Sequence, residues 1–461
     1  MTSRPLAALA AALTLAACAG APPADGTDGP FIEGTTATDV TQTTMPAPPE
    51  RPRNVVLFIA DGFGPASATL GSAAAEARGD TWALGDGLGG SVETSATDNR
   101  VTDSAASATA YSCGLKTYNG AIAMTADKEP CPTVLERAEA RGMATGLVAT
   151  SRITHATPAS FAAHVEQRGQ EAEIAAQLVG AGVDVMLGGG MRFFQGREDG
   201  RDLVAELRAS GVTVATDRAG FDALRAAPAA AILAESHLDY EVDRDASQQP
   251  SLAEMTAKAL DLLSAAAPVA GFFVMIEASR IDHAAHGNDP VGHLGDILAY
   301  NEAVRVAREW AARDGETLVV ATADHETGGM TLGRGGAYFW DPAPLLRATS
   351  SIEALGPRLN RSMETDGDPV ELIREAAGVA ELEEGMDEAI RGMMASGDET
   401  ALREMVVGLL SEPAGIGWTT SGHTAVDVGL YAWGPGAERF TGRMVNADVG
   451  RALFAALGLR R

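Results

Sequence analysis

Four apolar runs in this chain stop at residues that can hold a cation or an anion, and that repetition constrains the fold more than any other feature. RNVVLFIADGFG reaches Asp61, ATGLVATSRITHATP reaches Thr150 to Thr157, VAGFFVMIEASRIDHAAH reaches Glu277, and TLVVATADHETGG reaches Asp324 and His325. A fifth run, VDVMLGGG, ends in glycine. Apolar residues that do not alternate with polar ones mark strands buried on both faces, the condition of a parallel sheet lying between helices. The intervening stretches read as helices, so the fold class is α/β: a large, mainly parallel central sheet with helices on both faces, plus an inserted segment. Ligands of such sheets bind beyond the carboxyl ends of the strands, where these polar residues stand.

The 461 residues, 46% of them apolar, suit one large domain with additions, expected over residues 54–461. From about 331 to 416 the strand pattern gives way to Tyr338, Phe339, Trp340, Asp341 and Pro342, then to acidic helical segments. That stretch reads as an insertion over the site or at a subunit contact. Ahead of the domain, residues 18–53 are rich in Pro, Thr and Gly, the composition of a disordered tether. Residues 1–17 read as a signal peptide, and Leu15-Ala16-Ala17-Cys18 resembles a bacterial lipoprotein signal, with cleavage before Cys18 and lipid attached there. Ordinary cleavage after Ala21 is the alternative. Either route exports the mature protein, to the periplasm or, as a lipoprotein, to the outer membrane or cell surface.

Cys113 and Cys131 remain in the exported domain, where a disulfide is permitted and two buried thiols are the other possibility. The formal charge of -27 argues against nucleic acid or an anionic membrane surface as a partner. So acidic an enzyme, if it handles anions, needs local positive charge, which metal ions supply.

In VTDSAASATA, Val101 to Ala110, the residues after Ser104 are small and free of Gly and Pro, so a helix is expected to begin there. The Ser104 hydroxyl then faces unpaired N–H groups and the positive end of the helix dipole, a setting for attack on phosphate. A plain cap by Asp103 or Ser104 is the other reading. Asp61, Glu277, Asp282, His286, Asp324, His325 and His423 are carboxylates or imidazoles, most of them at strand ends. Asp282 and His286, four apart, share a helix face as two ligands of one ion require, and the adjacent Asp324-His325 can turn to another. So many carboxylates exceed one closed zinc site and point to a multi-metal catalytic centre.

The motifs DGFG, TDSAASATA, THATP, IEASRIDHAAH, ATADHETGG and SGHT, in this order, resemble those of the two-zinc, one-magnesium alkaline phosphatases. The resemblance implies an alkaline-phosphatase-like fold, two Zn2+ and one Mg2+, a homodimer, and hydrolysis of a broad range of phosphate monoesters through a phosphoserine with net retention at phosphorus. It implies Ser104 as nucleophile. Asp282, His286 and His423 would hold the zinc that activates water; Asp61, Asp324 and His325 the zinc that activates Ser104; Asp61, Thr157 and Glu277 the third ion. Arg168, expected on a helix that Pro158 starts and that carries Phe161 to Gln177, matches the arginine that grips phosphate. His155 and His283 stand where the best-known bacterial form has an acid and a lysine; with Asp103 they are candidates for a supporting role. His164, His237 and His293 are expected to be structural. No C-x-P-x-R or S-x-P-x-R segment surrounds Ser104, which excludes a sulfatase. A diesterase on the same scaffold and an inert phosphate- or metal-binding lipoprotein are the alternatives.

Overall fold

The run Asn54–Ala60 forms a strand whose seven residues are all buried, because each face is covered by a layer of helices. It belongs to a computed structural model that describes residues 51–461 apart from 268 and 366. The expected signal peptide, the lipid site at Cys18 and the tether up to residue 50 lie outside the described residues. In spatial order the central sheet runs Gly442–Val445, Leu88–Glu93, Val428–Trp433, Thr317–Thr322, Asn54–Ala60, Phe272–Ala278, Ala144–Arg152, Val185–Gly189, Ala229–Ile232 and Thr213–Ala215. Only Val428–Trp433 runs against its neighbours; every other pairing is parallel, as the unalternating runs imply.

Register brings the ligand-type residues to one edge. Ile59 lies opposite both Glu277 and Thr322, and Ala149 opposite Glu277 on its other side. The four central strands therefore come level at this edge, and Asp61 and Asp324, which follow two of them, meet beyond it. Gly62, the next residue after Asp61, has φ +75°, and a Cβ there would stand 2.7 Å from the Asp282 Cα. Glycine is what lets the Asp61 turn and the Asp282 helix approach each other.

One helix layer contains Pro65–Arg78, Leu252–Ala266 and Pro290–Asp314, and the opposite face carries Ser104–Cys113, Val134–Glu139, Ala156–Ala162 and Asn446–Ala456. The expected helix from Phe161 to Gln177 is two helices. Ala156–Ala162 stops at Ala163, whose backbone is extended, and Val165 pairs with Ile122 before the chain resumes as Glu171–Gly180. Arg168 thus sits in a turn, not on a helix, and Pro158 lies within the first turn of Ala156–Ala162. The bridge wins because it satisfies the backbone groups of Ile122 and Val165 in both directions.

Thr331–Leu332 and Ile416–Gly417 pair as a short antiparallel ribbon. Between them lie the helices Ile352–Glu364, Pro369–Ala377, Met386–Ser396 and Glu399–Ser411. They enclose an apolar core of their own, which continues onto Leu70, Ala74, Val291 and Leu294 of the main body. Cys113 and Cys131 are joined as a disulfide. Among the described residues, no helix is long and apolar enough to cross a membrane.

Candidate active site

Asp103 caps the helix Ser104–Cys113: its backbone is extended and its Oδ1 accepts the Ala106 N–H at 2.9 Å. Capping falls to Asp103, and the buried Ser104 hydroxyl is left facing His325, with Oγ 3.2 Å from Nε2. Nearby hydroxyls are committed elsewhere. Thr102 donates to the Asp103 carbonyl and Thr109 to the Ala121 carbonyl.

Backbone carbonyls fix the imidazoles around this serine. His286 Nδ1 donates to the Ser421 carbonyl at 2.6 Å, and His423 Nδ1 donates to the Thr102 carbonyl at 2.9 Å. With Nδ1 so engaged, Nε2 of either ring is a lone pair when the ring is neutral and a donor when it is protonated, and the two Nε2 atoms lie 3.1 Å apart. Asp282 closes this group, its carboxylate 3.3 Å from His286 Nε2 and 3.7 Å from His423 Nε2. Thr327 donates to Asp282, so its oxygen accepts from His325 Nδ1 at 3.2 Å. His325 Nε2 is thereby a lone pair, 3.2 Å from Asp324 Oδ2 and 3.5 Å from Asp61 Oδ1. His325 and His423 are stacked, ring centroids 3.5 Å apart.

The carboxylates are crowded and buried. Burial, then the charges of Asp324, Asp282 and Glu277, hold the Asp61 carboxyl well above its usual range. Burial and Asp282 push Asp324 up to about 6, and burial pushes Glu277 up to about 7. His286, hydrogen-bonded to Asp282, is raised to about 9.

A third group forms where Glu277 and Asp61 meet the helix Ala156–Ala162. Thr157 Oγ1 is buried there without a hydrogen-bond partner, and a nitrogen of His155 lies within 4.8 Å of carboxylate oxygens of Asp61 and Glu277. Arg168 Nη2 donates to His155 Nε2 at 3.2 Å, and Nη1 donates to Asp103 Oδ2 at 3.1 Å. With Nε2 accepting, the neutral His155 ring keeps its proton on Nδ1, which is buried without a hydrogen-bond partner. The Asp103 side chain therefore has three tasks, the helix cap through Oδ1 and, through Oδ2, the arginine and the Gly120 N–H at 3.0 Å.

Next to His155 stands His283, whose Nδ1 accepts from Arg280 at 3.0 Å. Burial and the Arg280 charge push His283 down to about 3. His237, read from the sequence as structural, joins them: its ring centroid is 4.3 Å from that of His283 and 5.7 Å from that of His155. Its position just past the strand Ala229–Ile232 is the one signal that could have found it. Thr327 was likewise not singled out, although it stands two residues after His325. His164 and His293 serve structure. His164 bridges the Ala123 carbonyl and Glu136, and the buried His293 bridges the Ile281 carbonyl and Ser67.

Whether these groups suit cations is decided by what their donor atoms lack. Both oxygens of Asp61, Asp324 Oδ2, Glu277 Oε1 and Thr157 Oγ1 are buried with no hydrogen-bond partner. Lone pairs in that state are costly unless a positive charge meets them. Three sets of donors converge within 4.8 Å: Asp282, His325 and His423; Asp61, Asp324 and His325; Asp61, His155 and Glu277. Mixed imidazole and carboxylate sets suit zinc, and the oxygens of Asp61, Glu277 and Thr157 suit a harder ion. Without such ions, four buried carboxylates around Ser104 would repel the phosphate that Arg168 attracts. The residues fit a multi-cation centre.

Comparison with known proteins agrees with the geometry. Residues 52–459 match the family model described as alkaline phosphatase. The alkaline phosphatase of Schizosaccharomyces pombe is 37% identical to this chain, with 87% of this chain and 80% of that protein covered. The crystal structure of a cold-active alkaline phosphatase from a Shewanella species superposes with a TM-score of 0.81 at 32% identity, covering 88% of this chain and 99% of that one. That of the Thermus thermophilus alkaline phosphatase gives 0.79 at 32% identity, covering 92% and 96%.

Proposed function

The chain belongs to the alkaline phosphatase family and hydrolyses phosphate monoesters, and from that premise we propose how its own residues divide the work. Asp282, His286 and His423 hold one zinc ion, Asp61, Asp324 and His325 the second, and Asp61, Glu277 and Thr157 a magnesium ion. When bound, these cations neutralise the carboxylates, act as Lewis acids on phosphoryl oxygens, and lower the pKa of the Ser104 hydroxyl and of water. The observation that carries this reading is the ring of buried, unpartnered donor atoms about Ser104.

Arg168 grips the phosphoryl group with the N–H donors that Asp103 and His155 leave free, a planar fork matched to two phosphate oxygens. The N–H groups at the start of the Ser104 helix face the remaining oxygen charge. Ser104 Oγ bonds to phosphorus as the ester oxygen departs, and the serine proton leaves with the substrate alcohol. Water then cleaves the Ser104 ester, restoring the hydroxyl and releasing inorganic phosphate. Two displacements give net retention at phosphorus. Phosphate release from an aryl monoester is expected to exceed cleavage of the matching bis-ester by several powers of ten, and a preference for the bis-ester would overturn the assignment to monoesters.

Arg168→Ala is expected to lower kcat/KM by about one to three powers of ten, since a charge-assisted bidentate contact contributes roughly 1.5–3 kcal/mol or somewhat more. Inhibition by inorganic phosphate should weaken in parallel while the metal content measured by elemental analysis stays constant. Unchanged kinetics and unchanged inhibition would show that Arg168 does not touch the phosphoryl group.

A further inference from the structure

A cavity of about 810 Å³ lies between the metal-binding helix Arg280–His286 and the four-helix segment, and no step above uses it. Its volume is typical of a site for a drug-sized ligand. Leu355, Leu359, Met393, Leu402 and Val406 form its apolar floor, and His286 and Ser421 also line it. Methionine among leucines makes an adaptable lining.

The position of this cavity follows from the chain of contacts leading away from the nucleophile. Ser104 touches His325, His325 stacks on His423, His423 meets His286, and His286 borders the cavity. In an in-line displacement the attacking and departing oxygens lie on opposite sides of phosphorus. Ser104 occupies one side, so the alcohol departs toward His286, whose side chain is 40% exposed.

The charges at the rim narrow the chemistry further. Arg403 donates one guanidinium N–H to the Gly287 carbonyl at 2.7 Å and keeps its positive charge, which Glu399 and Glu404 at the same opening outnumber two to one. An alcohol carrying further anionic groups would meet these carboxylates; an apolar, uncharged one would bury surface against leucine and methionine.

We propose that this cavity is the subsite for the alcohol half of the substrate, and that the enzyme favours phosphate monoesters of apolar, uncharged alcohols. The proposal rests on Ser104 attacking a monoester, as argued above. It is tested with the metal-loaded, full-length enzyme on ethyl, butyl, hexyl and octyl phosphate, whose leaving groups are chemically alike. The expected kcat/KM rises about threefold to fourfold per methylene until the cavity is filled, the gain from burying one CH2. Met393→Trp, which fills the floor, should lower the octyl-to-ethyl ratio at least tenfold and leave ethyl phosphate turnover and inhibition by inorganic phosphate as they were. Octylphosphonate should also inhibit the unmodified enzyme at least tenfold more tightly than ethylphosphonate, a readout that needs no variant. A flat series with ethyl phosphate still hydrolysed, or equal inhibition by the two phosphonates, overturns the subsite alone. Failure to hydrolyse any of the four overturns the monoesterase reading beneath it.

Discussion

Replacing Ser104 by alanine is expected to lower phosphate monoester turnover by roughly three to six powers of ten, the range seen when a nucleophile is lost while binding and electrostatic groups remain. Metal content and inhibition by inorganic phosphate should change little, because the Ser104 hydroxyl supplies neither the carboxylates nor Arg168. The direct measurement is covalent. The unmodified enzyme, mixed with labelled substrate and quenched in acid, should carry phosphate on the peptide containing Ser104, and the alanine variant should carry none. Thr102 and Thr109 are poor rivals, since each already donates its hydroxyl to a backbone carbonyl. Label on either of them or on Ser107, or inversion when a chiral phosphate is transferred to an alcohol, would refute the double displacement even in an active phosphatase.

Removing the metals is expected to abolish activity and to lower Tm by an amount on the order of 10 °C, since each ion at a thousandfold excess over its Kd contributes about 4 kcal/mol to the folded state. The cause lies in Asp61, Glu277, Asp282 and Asp324, four buried carboxylates packed together, which Arg168 and the His286 imidazolium beside Asp282 offset only in part. The pH dependence of rebinding has a definite sign. A ligand atom must lose its proton before it meets a cation, and the metal-free protein holds protons on Asp324 up to about pH 6, on Glu277 up to about 7 and on His286 up to about 9. Zinc and magnesium should therefore bind more tightly as pH rises from about 6 to 9, each ion releasing protons that a weakly buffered titration can count. Full turnover in protein shown to be metal-free, or affinity independent of pH over that span, would end the multi-cation account.

The arginine and the histidine layer mark the limit of local reading. A helix through Phe161 to Gln177 agrees with the composition of that stretch, yet the chain breaks at Ala163 because Val165 pairs with Ile122, forty-three positions earlier. Arg168 is instead held in a turn by its bond to Asp103, the residue before the serine, rather than by helix geometry. His237 has no near neighbour in sequence to suggest company with His155 and His283, and the sheet order alone brings the three together. The disulfide was equally undecided, since two cysteines 18 apart do not reveal whether their side chains meet.

What the sequence determined by itself was whatever depends on neighbours along the chain. Unalternating apolar runs made buried parallel strands, because residues without a polar face must be covered on both sides. Asp103 before a run of small residues made a capped helix with Ser104 at its head, and a spacing of four put Asp282 and His286 on one face. Which group shares which partner was decided only by tertiary structure. Ser104 and His325 are 221 positions apart, and His423 is oriented by a carbonyl 321 positions away. Distances over such separations are set by strand order and register, which bring four strand ends level and let one carboxylate, Asp61, stand in two donor sets at once.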